Sequence, residues 1–225
     1  SISSGIDLAI FNTDGDPTYI RKKYAIPDKP ILLFVGRVDP EKHLEEVIHA
    51  VSLAVKAIDF CFVVVGKGIS KASLENLAKQ LGIADSIIFT GFVPEEDLPF
   101  FYKLSRCFII ASIAELLSLA ALQAMASGLP VIAANACALG ELVQEGINGY
   151  LFEPGDIRKI VQSIYNIMEQ DELYRSMREK NLEFIEKHNI HKVADSFERL
   201  YKNSTLKQPY FGFETLKLQT AKEII

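Results

Sequence analysis

The 225 residues predict an α/β fold, a doubly wound parallel sheet with helices on both faces, and three observations carry that prediction. Unbroken apolar runs of strand length recur along the chain, as at 31–35 and 60–65. A run apolar at every position is a strand buried on both faces, the signature of a parallel sheet covered by helices. The runs alternate with amphipathic helical patterns, which is how parallel strands are connected. Several also close on a turn residue, Gly36, Gly66 and Gly91 among them, so the loops that follow lie together on one rim.

In chain order, residues 1–12 read as a loop anchored by Ile10 and Phe11, followed by a Gly/Asp/Pro turn at 14–17 and a first helix at 18–24. Pro27 and Pro30 punctuate before the strand at 31–35, which Gly36 closes. Then come a helix at 43–56, a strand at 60–65, a helix at 71–81, a strand at 86–90, a helix at 95–104 and a strand at 107–111. Ser118 is suited to cap a helix over 118–127, which Gly128 stops before Pro130 and the strand at 131–134. A piece at 139–145, a short apolar piece at 150–152 and helices at 157–169, 172–187 and 192–201 complete the pattern. The tail from 203 to 225 shows no clear periodicity but holds the aromatic run P-Y-F-G-F, which suits packing on another domain or on a neighbour.

With 49% hydrophobic and 24% charged residues the chain has the composition of a globular protein able to bury a large core. A formal net charge of -5 and the lack of a basic cluster exclude a nucleic-acid binder that relies on phosphate neutralisation. Cys61, Cys107 and Cys137 follow no zinc spacing, and an odd count suits a reduced, cytoplasmic chain. No apolar run reaches the length of a membrane span. The chain opens on Ser1, which suggests a trimmed or partial sequence.

Ligands of doubly wound sheets bind at the carboxyl ends of the strands. The loops expected there are 36–42, 66–68, 91–93, 112–117 and 135–139. Arg37 and Lys42 can converge from one loop on a diphosphate, or pair with Asp39 and Glu41 as surface charges. Gly66 and Gly68 begin a glycine pattern whose third member would fall at Lys71, so a tight turn competes with a phosphate-binding reading and a dinucleotide site is disfavoured. The helix at 118–127 offers an anion its unbonded N–H groups and partial positive charge. Glu115 stands before it, where it can accept sugar hydroxyls, cap the helix or pair with Arg106. Gln123 is the one strongly polar residue inside that helix, so it bonds nearby backbone or faces a cleft. His43, His49, His188 and His191 are scattered and read as surface residues.

Six motifs in order carry a resemblance: G-I-D-L-A-I-F-N at 5–12, G-R-V-D-P-E-K-H at 36–43, V-V-V-G-K-G at 63–68, F-T-G-F-V at 89–93, E-L-L-S-L-A-A-L-Q-A-M-A-S-G-L-P-V-I-A at 115–133 and N-G-Y-L-F-E-P-G-D at 148–156. Together they span roughly residues 3 to 200 and resemble the donor-binding half of a GT-B retaining glycosyltransferase of the group 1, or family 4, type. The resemblance implies a Rossmann-like domain at 31–202, with 1–30 as interdomain linker and lead-in, that binds a nucleoside diphosphate sugar for retaining transfer of a hexose to a glycan or lipid acceptor.

It further implies that Arg37 and Lys42 hold the diphosphate and stabilise the leaving nucleotide, so that neither a cofactor nor a metal ion is expected. Gly36 leaves room for phosphates beside Gly66 and Gly68, Phe92 and Val93 frame the base, and Glu115 accepts a sugar hydroxyl. The N–H groups at Leu117, Ser118 and Leu119 point at the distal phosphate. The family usually has a second glutamate, on the ribose, where this chain has Gln123, and often glycines where it has Leu116 and Leu117; Gly140 stands where a proline is common. That Gln makes a noncatalytic nucleotide-sugar-binding or scaffolding domain the rival reading. The resemblance also implies that the N-terminal acceptor domain is missing, that this chain alone transfers nothing, and that the full enzyme works in cell-envelope glycan synthesis with peripheral membrane association.

Overall fold

The computed structural model describes residues 5–11 and 15–205, so the expectations for 1–4, 12–14 and the tail beyond 205 lie outside the described residues. Six strands, β1 (Ile31–Val35), β2 (Cys61–Val65), β3 (Ile87–Gly91), β4 (Cys107–Ile110), β5 (Val131–Ala134) and β6 (Gly149–Phe152), form one sheet in the order β3-β2-β1-β4-β5-β6, parallel at every ladder. The helices are α1 (Leu8–Phe11), α2 (Thr18–Lys23), α3 (Leu44–Ala54), α4 (Lys71–Gln80), α5 (Leu98–Leu104), α6 (Leu119–Ala126), α7 (Cys137–Leu142), α8 (Ile157–Glu169), α9 (Asp171–Ile185) and α10 (Ile190–Thr205). This is the doubly wound, Rossmann-like sheet that the alternating pattern predicts.

Successive side chains of a strand point to opposite faces, and the two core layers follow that period. Leu32, Phe34, Phe62 and Val64 pack with Val47 and Ile48 of α3, Leu74 of α4 and Ile160 and Ile164 of α8. Ile31, Leu33, Val63 and Phe108 pack on the other side with Ile20 of α2, Phe101 and Tyr102 of α5 and Leu122 and Met125 of α6. Among the described residues no helix is long and apolar enough to cross a membrane.

Local hydrogen bonds move several boundaries. Residues expected to form a loop with Ile10 and Phe11 as anchor include α1, started by Asp7 Oδ1, which accepts the Ala9 N–H at 3.0 Å. Phe11 does pack on the core, edge-on to Tyr102, but Ile10 is 51% exposed and the further anchor is Ile6, 5% exposed. Its N–H donates to the His188 carbonyl at 2.7 Å, and its carbonyl accepts from Ile190 at 3.0 Å. His188, read from sequence as a surface residue, is buried, with its carbonyl in that bridge and its ring centre 5.7 Å from that of Phe184. His43 has a left-handed backbone with φ +50°, so α3 starts at Leu44. The piece expected at 139–145 forms earlier as α7, because the Ala138 N–H bonds the Glu115 carbonyl at 3.1 Å and Asn148 Oδ1 takes the Gln144 N–H at 2.7 Å.

Asp97, nearly buried, ties the lead-in to the sheet domain. It accepts from Lys23 Nζ at 2.6 Å, Tyr24 OH at 2.7 Å and Tyr19 OH at 2.9 Å, so it holds α2 against the start of α5. Burial pushes its carboxyl up, but the hydrogen bonds from Lys23, Tyr24 and Tyr19 more than offset that and hold it below the usual carboxylate range. Burial and the same carboxylate push the Tyr19 hydroxyl up to about 12. Asp97→Ala is expected to cost about 2–3 kcal/mol at pH 7 in urea unfolding. Because the folded-state value is depressed, this contribution is complete above the unfolded-state value of about 3.9 and disappears as pH falls through the folded one. Equal stability of mutant and wild type at pH 7 would contradict that role.

Candidate functional site

The strand order reverses between β1 and β4: β1 leads outward to β2 and β3, β4 to β5 and β6. Loops leaving neighbouring strands there diverge and open a crevice at the carboxyl ends. A cavity of about 130 Å³ occupies it, with Gly36, Arg37 and Lys42 from the loop after β1 facing Glu115, Ser118 and Leu119 from the loop after β4 and the start of α6.

Lys42 and Glu115 meet inside this cavity. Nζ lies 2.5 Å from Oε1, with the two side chains only 16% and 14% exposed. Of the partners weighed for Glu115, the helix cap is Ser118, whose Oγ accepts the Ala121 N–H at 3.2 Å, and Arg106 is bound instead to Asp171 at 2.6 Å. The carboxylate is thus left to Lys42.

The structure separates the two cations that the sequence placed together. Arg37 lines the cavity mouth, but its side chain is 70% exposed and donates to Asp39 at 2.9 Å and to Glu41 at 2.6 Å. Arg37 thus follows the surface-pair reading, whereas Lys42 turns into the cavity to a carboxylate that neither reading of this loop named.

Gly66 and Gly68 do not line the cavity. A Cβ on Gly66, whose φ is +138°, would collide with the Gly36 carbonyl, and one on Gly68 would collide with the Val38 carbonyl. The 66–68 loop lies flat against 36–39, bonded through Val38 N–H to the Lys67 carbonyl at 2.9 Å and Ile69 N–H to Asp39 Oδ1 at 3.1 Å. These glycines act by fixing the backbone that carries Gly36 and Arg37.

Phe92 is 66% exposed on the same rim, with Lys67 Nζ 5.4 Å from its ring centre, and Val93 beside it is buried in the core. Leu117 is exposed at the entrance to α6, and Leu116 is 92% exposed.

Gln123 faces a cleft, as one reading expected, and its bond goes to a side chain and not to nearby backbone. Its Oε1 accepts from Tyr102 OH at 3.0 Å, and it lines a second cavity of about 310 Å³ with Leu119, Glu95, Leu98 and Ile10. Tyr102 is fully buried, and burial raises its hydroxyl so that it stays protonated and donates. A buried hydroxyl hydrogen needs an acceptor, which fixes the amide with its oxygen inward and its N–H groups toward the cleft. Sequence reasoning passed over Tyr102, because an aromatic in an apolar helix reads as core. Among the described residues no group of three or more His, Cys, Asp or Glu side chains is placed to hold a metal ion.

A parallel α/β domain whose switch point holds a nearly buried lysine beside a helix start is a domain of Rossmann-like type. The chain belongs to the family described as glycosyl transferases group 1, which matches residues 16–184. An uncharacterized glycosyltransferase of Haemophilus influenzae is 32% identical over 182 residues, covering 79% of this chain and 50% of that protein. The N-acetyl-alpha-D-glucosaminyl L-malate synthase of Bacillus anthracis is 28% identical over 188 residues, covering 83% of this chain and 49% of that protein. The chain therefore spans about half the length of these relatives. Among solved structures, the C-terminal domain of the group 1 glycosyl transferase LpcC from Francisella tularensis superposes with TM-score 0.75 at 29% identity, covering 83% of this chain and 100% of that one. Anabaena HepE in complex with UDP shares the fold, with TM-score 0.82 at 20% identity over 90% of this chain and 57% of that one. The GT-B glycosyltransferase resemblance is thus confirmed for family and fold.

Proposed function

We propose that this chain is the donor-binding half of a retaining glycosyltransferase, holding a nucleoside diphosphate sugar for transfer of a hexose to a glycan or lipid acceptor. The observation that carries the reading is Lys42, a nearly buried cation at the switch point beside the start of α6. In this reading the diphosphate takes Lys42 and the N–H groups at Leu117, Ser118 and Leu119, with Gly36 leaving room for it. Arg37 turns from its two surface carboxylates to close over the phosphates as charge develops on the leaving nucleotide. Glu115 accepts a hydroxyl of the sugar, Phe92 and Val93 frame the base, and the N–H groups of Gln123 meet a ribose hydroxyl oxygen from the second cavity. Positive charge from these groups serves the leaving diphosphate, so the proposal includes no metal ion.

The acceptor and the remaining groups belong, in this reading, to an N-terminal domain of the full enzyme, and the chain alone binds without transferring. The full enzyme then works in the cytoplasm, at the membrane surface when its acceptor is a lipid of cell-envelope synthesis. A thermal-shift panel of UDP-, GDP- and ADP-sugars tests the binding step, since a ligand bound only by the native state raises its apparent stability by about 2.7 kcal/mol at a hundred times Kd. One nucleotide series is expected to raise Tm. No shift with any of the three contradicts the reading.

A further inference from the structure

We propose that the Lys42–Glu115 ion pair makes this site select a nucleoside diphosphate that still carries its sugar over the bare nucleoside diphosphate; the inference rests on the donor-binding reading above. Within the cavity each charge satisfies the other at 2.5 Å, and little solvent reaches either. An entering diphosphate draws Lys42 to itself. Glu115 is then a carboxylate with little water, beside a second anion, and the loss of its partner and the like-charge contact both oppose binding.

The backbone that carries Glu115 is held in place. Its carbonyl accepts the Ala138 N–H at 3.1 Å, and Cys137 Sγ donates to the Ile113 carbonyl at 3.4 Å, so α7 holds the 113–115 loop from behind. Arg37, the other cation lining the cavity, is held by Asp39 and Glu41 and in the reading above turns to the phosphates, so it does not replace Lys42 on Glu115. A ligand group that donates hydrogen bonds is what the carboxylate then needs. A sugar attached to the distal phosphate supplies hydroxyl donors and restores its satisfaction, whereas a bare phosphate supplies none. The pair thus favours the loaded donor and speeds release of the spent diphosphate, through a carboxylate that repels the phosphate and accepts only from the sugar.

The test is calorimetric titration of the whole chain with UDP and UDP-glucose, with GDP and GDP-mannose and ADP and ADP-glucose in parallel. Wild type is expected to hold the sugar-bearing member of its preferred pair at least about tenfold tighter than the bare one. Glu115→Gln removes the charge and keeps the shape, so the bare diphosphate is expected to bind about tenfold tighter than to wild type while the sugar nucleotide gains nothing. Glu115→Ala is expected to tighten the bare diphosphate in the same direction. If neither variant binds the bare diphosphate more tightly than wild type, the proposed selection is wrong. If wild type binds no nucleotide, or if Lys42→Ala binds as wild type does, the donor-binding reading itself fails and this proposal falls with it.

Discussion

Lys42→Ala is expected to weaken binding of the preferred nucleoside diphosphate sugar by about 1.5–3 kcal/mol, roughly ten- to 150-fold in Kd. The magnitude follows from losing a charge-assisted bond to phosphate in a site with little solvent. The same change leaves Glu115 nearly buried without its cation, so the apo protein is also expected to lose stability, and Glu115→Gln in the Lys42→Ala background is expected to recover part of that loss. Arg37→Ala provides the contrast. Its guanidinium is 70% exposed and already held by two carboxylates, and surface pairs of that kind contribute only about 0–1 kcal/mol, so its effect on binding is expected to fall short of that of Lys42. Isothermal titration of the two variants decides the order, and an equal or larger loss for Arg37→Ala would overturn the assignment of Lys42 as the main phosphate cation.

Gly66→Ala is expected to produce the largest loss of stability among single-methyl changes near the site, about 2–5 kcal/mol in urea unfolding. Two causes add. The residue sits at φ +138°, which L side chains rarely adopt, and the new methyl would strike the Gly36 carbonyl. The collision is with backbone, so no rotamer change relieves it; the ends of β1 and β2 must move apart, breaking the 3.0 Å bond from the Gly36 N–H to the Val65 carbonyl. Nucleotide binding is expected to weaken with it, because Gly36 and Arg37 line the cavity from that loop. Gly82→Ala serves as control, since its methyl meets nothing within 4 Å although its φ is +71°, and its cost should be limited to the backbone term of about 1–2 kcal/mol. A Gly66→Ala protein no less stable than the Gly82→Ala one would show that the two loops are not locked together.

Much of the architecture is legible in the sequence because it is periodic. Strands such as Ile31–Val35 and Cys61–Val65 are apolar at every position, and only burial on both faces explains that. Ser118 and Gly128 mark the ends of α6 by their own chemistry, one by accepting the Ala121 N–H and the other by taking φ +77°. Element edges shifted where a single long-range bond intervened, as when the Glu115 carbonyl drew Ala138 into the start of α7. His188 was misplaced for the same reason: its surroundings are polar in sequence, and its backbone is bonded by Ile6, from the far end of the chain.

By itself, then, the sequence determined the strand and helix alternation, the two-sided burial of the sheet, the family, and which loops share the rim. Tertiary structure alone decided partnership within that rim. Arg37 finds Asp39 and Glu41, two and four positions away, and turns outward. Lys42 finds Glu115, 73 positions away, and turns inward, while Gln123 is oriented by Tyr102 from a different helix. Residue type states what charge or hydrogen bond a side chain offers. Which partner receives it depends on β1 lying against β4 in the sheet, a neighbourhood created by the crossover between strands and present in no local pattern of the chain.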